Sequence, residues 1–465
     1  MKALLACVLC VTALAVARGD ELPATVVQAL ARAQVPLSAT AVVVQPVGPG
    51  PARLMYHADQ AMNPASVMKL VTTFAALDLL GPAYQWRTGV YATGPLRHGV
   101  LEGDLILQGG GDPKLVMENL WLLLRRVRDM GIRDVRGDIV LDRSAFAVPE
   151  LDPGRFDNDP SRPYNVGPDA LLLNFKSVSL RFLPDGDTVH VAAEPPLAGL
   201  RLPSTLRAAP GECGDWKAQL QANLDDPLHP RFAGRYRPAC GDKAWNLAPL
   251  PRDAYARALI APLWHDVGGR LGGSIRAGAL PADARKLFDW QSPPLAEVVR
   301  DINKFSNNVM ARQLFLSLAL AVTQQPATPE AAVAVITDWA ARRGLSMPEL
   351  VLENGSGLSR RERISAASLA RLLQAAYASA VMPELMSSLP VVGEDGTMKR
   401  RTATVSRGSA HIKTGSLRDV RSMAGYVLAA DGRRYVVVAL INDEHAAGAQ
   451  DAFDALLDYV WRGAE

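Results

Sequence analysis

The sequence predicts an α+β fold: an antiparallel sheet with helices on both sides and a helical cluster, its chain broken by a β-rich insertion of one or two domains. Three observations predict it. A β-branched run at residues 40–48 precedes a mostly apolar run at 70–80. Residues 422–461 read strand, turn, strand, helix. Between them, residues 86–287 are mostly short alternating segments cut by Pro and Gly, with two isolated helical stretches, and successive helices return from Ser292. Residues 18–85 and 288–465 are therefore read as one split domain around the insertion at 86–287.

Taken in order, residues 1–17 have the pattern of a secretory leader: a positive Met1-Lys2, an uncharged stretch from 3 to 17, and Ala15-Val16-Ala17 as cleavage site. The stretch is short for a membrane span, and no later one is long enough. Cleavage at Cys7 as a lipoprotein would leave almost no apolar region. Residues 40–48 form a strand. Pro64 starts the next helix and Gly81-Pro82 stop it. A strand at 103–108 runs into Gly109-Gly110-Gly111-Asp112-Pro113. No Gly-Lys-Ser/Thr follows, so this is a tight turn rather than a phosphate cradle. A helix at 117–130 and a strand at 137–142 come next. Two alternating segments, 177–183 and 188–192, join through Pro184-Asp185-Gly186-Asp187 as a hairpin. Residues 197–251 are rich in Pro, Gly and Arg, and a helix spans 253–267. Helices follow at 295–302, 307–322, 329–343 (stopped by Gly344) and 365–379 (capped by Ser365). Strands at 422–429 and 434–441 flank Asp431-Gly432, and a helix at 447–461 closes the chain.

A chain of 465 residues implies two or three domains. Its 49% apolar and 21% charged content is that of a soluble globular protein. The net charge of +3, or +2 without the leader's Lys2, comes with no basic block and argues against a nucleic-acid partner. Cys7 and Cys10 lie in the leader. Cys213 and Cys240 remain as a pair, predicted to form a disulfide in an oxidising compartment. His229 lies between them, but the mature chain has no C-x-x-C and no H-E-x-x-H, so no metal site is expected.

Ser66 and Lys69 stand three residues apart at the start of the helical run, which puts both side chains on one face. A serine hydroxyl needs a neighbour to take its proton, and a lysine serves when burial or nearby cations lower its pKa. Ser-x-x-Lys alone is also an ordinary helix start with a solvated lysine. It gains weight from Ser306-Asn307-Asn308 and Lys413-Thr414-Gly415-Ser416 further on. Ser-x-x-Lys, Ser-Asp-Asn and Lys-Thr-Gly in that order are the shared signature of penicillin-binding proteins and class A β-lactamases, here with Asn307 in place of Asp.

Acyl transfer assigns each residue a task. Ser66 is the nucleophile and Lys69 the base. Ser306, between two helices, passes a proton to the leaving amine. Asn308 holds a substrate amide and steadies Lys69. Lys413, Thr414 and Ser416 attract the anionic end of a substrate, and Gly415 allows a ligand strand to come close. Backbone N–H groups of Ser66 and Ser416 form the oxyanion hole. Lys413 is a second cation able to depress the pKa of Lys69. No G-x-S-x-G surrounds Ser66, and His411 reads as a strand or surface histidine rather than a catalyst.

On these motifs the chain resembles the class C low-molecular-mass penicillin-binding proteins, the D-alanyl-D-alanine carboxypeptidases/endopeptidases of peptidase family S13. The resemblance also rests on Pro64-Ala65-Ser66-Val67-Met68-Lys69-Leu70, on Gly103-Asp104-Leu105 through Gly111-Asp112-Pro113, on Asn354-Gly355-Ser356-Gly357-Leu358-Ser359-Arg360, and on Leu389-Pro390-Val391-Val392-Gly393-Glu394-Asp395-Gly396-Thr397. It implies a penicillin-binding/β-lactamase-like transpeptidase domain with domains inserted between the first two motifs. It implies a periplasmic enzyme with a Ser66 acyl-enzyme, acting on peptidoglycan stem peptides ending in D-Ala-D-Ala or on D-Ala–diaminopimelate cross-links. β-Lactams are then covalent inhibitors, no cofactor is needed, and a homodimer is open. Two departures stand out. Asn354 occupies a position where the family often has Asp. Some members bind the free amine of the substrate side chain with an acid near a Trp-Asp-Asp stretch; Phe156-Asp157-Asn158-Asp159 is similar here, offering Asp157 or Asp159. A β-lactamase, a peptidoglycan-binding protein without turnover, and an esterase are the alternatives; the large insertion and the lack of an evident extra glutamate argue against the first.

Overall fold

A computed structural model describes residues 21–463; the leader expected at 1–17 lies outside them. Five antiparallel strands form the central sheet, in the order Ala410–Leu417, Val420–Leu428, Arg434–Asn442, Thr40–Pro46, Leu54–Tyr56. Side chains alternate across a strand. Ala41 and Val43 join one apolar cluster, while Val42 and Val44 join another on the opposite face. Val436, Val438 and Leu440 repeat the division against Val437, Ala439 and Ile441. The sheet is thus buried on both faces, which is why its central strands read as unbroken apolar runs.

Helices Ala24–Arg32 and Gln450–Arg462 cover one face. The other carries the helical cluster: Lys69–Leu80, Leu295–Phe305, Asn308–Thr323, Pro329–Arg342 and Ala366–Tyr377. Every residue from Lys69 to Leu77 is buried, as expected of a helix with no polar face. Gly81, at φ +80°, ends it.

The β-rich region holds a mixed five-stranded sheet in the order Ile275–Ala277, Ile139–Asp142, Leu105–Gln108, Arg87–Ala92, Arg285–Gln291. Beside it lies an antiparallel sheet in the order Thr205–Arg207, Thr188–Glu194, Val178–Asp185, Lys243–Leu247, whose first hairpin is the one expected around Gly186. One apolar cluster runs through both. Cys213 and Cys240 are bonded to each other. The expected boundary at 287 falls inside the strand Arg285–Gln291, which pairs with Arg87–Ala92; we propose that the insertion ends at Ser292 instead.

The β-rich region is anchored to the helical cluster. Trp86 Nε1 donates to Ser317 Oγ at 2.7 Å. The Asp169 N–H donates to Gln313 Oε1 at 2.9 Å, and Gln313 Nε2 donates back to the Asp169 carbonyl at 2.7 Å. The triglycine belongs to this junction. A Cβ on Gly109 would stand 2.2 Å from the Ala170 carbonyl oxygen, and one on Gly110 2.3 Å from that of Arg87. These glycines serve close backbone packing.

Candidate active site

Three segments distant in sequence converge on one cleft. Ser66 stands in a single 3₁₀ turn, Ala65–Met68, that leads into the helix Lys69–Leu80. Ala65, before it, has φ +45°, a left-handed conformation unusual for a residue with a Cβ. Its N–H donates to Asn63 Oδ1 at 2.9 Å. Asn63 is itself tied to Asn442 of the central sheet, its N–H donating to Oδ1 at 2.7 Å. The turn is fixed before any ligand arrives.

Lys69 Nζ donates to Ser66 Oγ at 2.9 Å, to Asn308 Oδ1 at 2.6 Å and to the Ser356 carbonyl. Its side chain is wholly buried. Burial, then the Lys413 and Arg312 charges, push its pKa well below the usual lysine range, against the pull of Glu362. Lys413 Nζ donates to Ser306 Oγ at 2.9 Å and to the Thr414 carbonyl at 2.7 Å. Burial brings its pKa down to about 7.

Ser306 ends the helix Leu295–Phe305 with φ +55°. Asn307 caps the next helix, its Oδ1 accepting from the Met310 N–H at 3.0 Å. Asn and Asp cap about equally well, which explains how Asn307 fits where the signature has Asp. Ser306 Oγ is left for Lys413. Lys413, Thr414, Gly415 and Ser416 do not open a strand at its threshold; they lie inside the edge strand Ala410–Leu417. That strand runs hard against the Ser66 turn: a Cβ on Gly415 would stand 2.9 Å from Ser66 N and 2.6 Å from the Pro64 carbonyl oxygen. Ser66 and Ser416, the residues expected to supply the oxyanion donors, both line one cleft.

Ser66, Ser306, Asn308, Thr414 and Ser416 share a cleft of about 730 Å³ with groups that the motifs do not reveal. Tyr164 and Phe175 come from the insertion, and Phe305 stands 66% exposed beside Ser306. Thr397, from the stretch at 389–397, bonds its hydroxyl to that of Thr414 at 2.8 Å. Lys304 Nζ holds that stretch, donating to the Leu389 carbonyl and to Asp395 Oδ2, each at 2.6 Å.

Asp157 and Asp159 are not on the cleft wall; Pro163 and Tyr164 stand there. Tyr164 OH donates to Asp157 Oδ2 at 2.5 Å and Asn165 Nδ2 to its Oδ1 at 2.7 Å. These bonds outweigh the effect of partial burial and hold the Asp157 pKa below the usual range. Asp159 is paired with Arg162 at 2.5 Å. His411 Nδ1 is buried without a hydrogen-bond partner, and burial, then Lys304, lower its pKa.

Asn354 Oδ1 accepts from the Ser356 N–H at 2.9 Å and its hydroxyl at 2.6 Å, while Nδ2 donates to the Leu358 carbonyl at 3.0 Å. An aspartate could make the first two bonds but not the third. Below this turn sits Glu362, fully buried, which sequence reading missed. It is not on the cleft wall.

A family model described as D-Ala-D-Ala carboxypeptidase 3 (S13) matches residues 22–460. The chain belongs to this peptidase family. The S13 resemblance read from the motifs is borne out over nearly the whole described chain. Among its S13 relatives, the D-alanyl-D-alanine carboxypeptidase of Actinomadura sp. strain R39 is 30% identical over 84% of this chain and 75% of its own. D-alanyl-D-alanine carboxypeptidase DacB of Haemophilus influenzae is 27% identical over 83% of this chain and 82% of its own. The crystal structure of penicillin-binding protein 4 (dacB) from H. influenzae superposes with a TM-score of 0.75, 23% identity, and coverage of 93% of this chain and 99% of that one. The same protein has been solved with a β-lactam, at a TM-score of 0.72, 22% identity, and coverage of 94% and 100%. The S13 fold of this chain is therefore the expected penicillin-binding type.

Proposed function

We propose that this chain is an exported serine D,D-peptidase, a D-alanyl-D-alanine carboxypeptidase/endopeptidase, working in the periplasm on peptidoglycan stem peptides. The observation that carries this reading is the pair of bonds Lys69–Ser66 and Lys413–Ser306, at 2.9 Å each, facing one cleft. S13 membership and the carboxypeptidase names of the relatives support the substrate class. Among the described residues no helix is long and apolar enough to cross a membrane.

A substrate backbone lies along residues 413–417 of the edge strand Ala410–Leu417, beyond the stretch at 410–412 that bridges to Val391. Thr414 and Ser416 hydroxyls, near the Lys413 charge, hold its terminal carboxylate. With Lys69 neutral, the Ser66 O–H donates to Nζ. As Oγ attacks the penultimate D-Ala carbonyl carbon, its proton passes to Nζ, and the carbonyl oxygen takes up the negative charge before the Ser66 and Ser416 N–H groups. The C–N bond then breaks, and the leaving amine takes a proton relayed through Ser306 from Lys413. Lys69 gives the proton it took to solvent and Lys413 regains one, so both return to their starting states. Water then attacks the ester, its proton passing to Lys69, and Ser66 Oγ takes that proton back as the C–O bond breaks. A β-lactam follows the same first steps, but its leaving nitrogen stays tethered and the ester persists.

The reading predicts release of free D-alanine from a peptide ending in D-Ala-D-Ala by the wild type and none by Ser66→Ala. Retained release in that variant would reject it. Of the two insertion acids, neither of which lines the cleft, Asp157 is the one we assign to a substrate side-chain amine, because its Oδ2 meets the cleft-lining Tyr164 while Arg162 already neutralises Asp159. Asp157→Asn should raise KM about fivefold for a peptide with a free side-chain amine, and leave the N-acetylated peptide unchanged. Asp159→Asn should alter neither. An equal KM change for both peptides in Asp157→Asn would remove the assignment.

A further inference from the structure

Glu362 is the buried charge that the acyl-transfer residues do not use. It lies in Arg360-Arg361-Glu362-Arg363, which reads as a solvated charge run, yet its side chain has no exposure. Oε1 accepts three backbone N–H bonds, from Glu353 and Asn354 at 3.0 Å each and from Gly355 at 3.1 Å. Burial raises the Glu362 pKa, and these three bonds together with the Lys69 charge act against that rise in favour of the carboxylate. Oε2 has no hydrogen-bond partner. The turn gripped in this way carries Ser356, whose carbonyl accepts from Lys69 Nζ. Thr72 Oγ1, one turn along the Lys69 helix, donates to the Gly355 carbonyl at 2.7 Å and closes the frame.

The charges around this frame are few. Lys413 from the edge strand, Arg312 from the helix Asn308–Thr323 and Glu362 itself act on Lys69. Arg312 is also buried, donating to the Val166 carbonyl at 3.0 Å, and it faces Glu362 and Glu353. Glu353 is turned away, accepting from Ser359 Oγ at 2.5 Å and lying 3.5 Å from Arg361. Lys69 thus has two buried cations near it and one fully buried carboxylate.

We infer that Glu362 is a positioning residue for Lys69: its carboxylate ties down the turn that fixes the Lys69 amine, and its charge sets how readily that amine takes the Ser66 proton. Without it, Lys413 and Arg312 would lower the Lys69 pKa further and make it a weaker base. The inference rests on the proposed Ser66 acyl-enzyme.

The test is the second-order rate of Ser66 acylation by a fluorescent penicillin, measured against pH. Acylation needs neutral Lys69, so the acid limb of the profile follows the Lys69 pKa. Glu362→Gln keeps an acceptor for the three N–H groups and removes the charge. The ammonium loses a stabilising neighbour, and the limb moves to lower pH by about one unit. Arg312→Gln removes a repelling cation, and the limb moves to higher pH. Opposite displacements, with both variants folded as judged by melting, support the inference, and either variant alone reads its sign if the other does not fold. An unmoved limb in a folded variant would overturn it, as would a folded Glu362→Gln that is not acylated at any pH. Labelling that survives Ser66→Ala would instead reject the acyl-enzyme reading itself, and the inference with it.

Discussion

Lys69→Met slows acylation of Ser66 by about 10²–10⁴-fold, the usual worth of a positioned general base. The methionine fills similar space but cannot take the Ser66 proton. The loss is larger than that expected at Glu362 or Asp157 because Nζ contacts the nucleophile itself, at 2.9 Å. A second signature accompanies the slower rate. The acid limb set by Lys69 vanishes from the residual pH profile, whereas a merely loosened fold would lower the rate at every pH alike. Asn308 Oδ1 and the Ser356 carbonyl lose their shared donor, so melting is recorded beside the kinetics. A variant that melts like the wild type and acylates within threefold of it would remove Lys69 as the base.

Gly357→Ala has the second large effect, and it touches no reacting atom. Gly357 sits at φ +80°, where an L side chain is strained. A Cβ there would stand 1.8 Å from the Ala65 carbonyl oxygen and 2.7 Å from Ser66 N. Both neighbours are backbone, so the Ser66 turn must shift. A displacement of about 1 Å at the nucleophile costs about 10²-fold in rate. Gly432→Ala separates strain from collision: φ is +82° there, but the space is open. It should lose some stability and acylate normally. Equal acylation rates for the two variants would show that close packing on Ala65 does not hold Ser66 in place.

The motif residues were legible because their chemistry constrains type and spacing together. Ser66 and Lys69 meet across one helical turn, and Ser306, Asn308 and Lys413 are then placed by the order of three motifs. The central sheet was legible where both faces are buried, since Thr40–Pro46 and Arg434–Asn442 then become plain apolar runs. The edge strand Ala410–Leu417 was not. It carries Lys413, Thr414, Gly415 and Ser416 for the cleft, and that requirement erases its strand pattern. Ala24–Arg32 carries no capping signal to set it apart from the leader, although it is the partner of the closing helix. Glu362 was hidden for the opposite reason. Three flanking arginines suggest solvent, and only the fold turns the carboxylate inward onto the backbone of residues 353–355. Tyr164, Phe175 and Thr397 reach the cleft through tertiary contacts that no local pattern encodes.

The central claim is that Ser66 becomes an acyl-enzyme that water releases slowly when the acyl group comes from a β-lactam. The measurement that tests it most directly is incubation of the mature protein with a fluorescent penicillin, wild type beside Ser66→Ala, followed by denaturing electrophoresis and intact mass. The account predicts a stable adduct of one penicillin on the wild type and none on Ser66→Ala. An adduct on both, or intact antibiotic with no adduct on either, would contradict it. Rapid hydrolysis of the antibiotic with no stable adduct would contradict it too, and would point to a β-lactamase on the same scaffold.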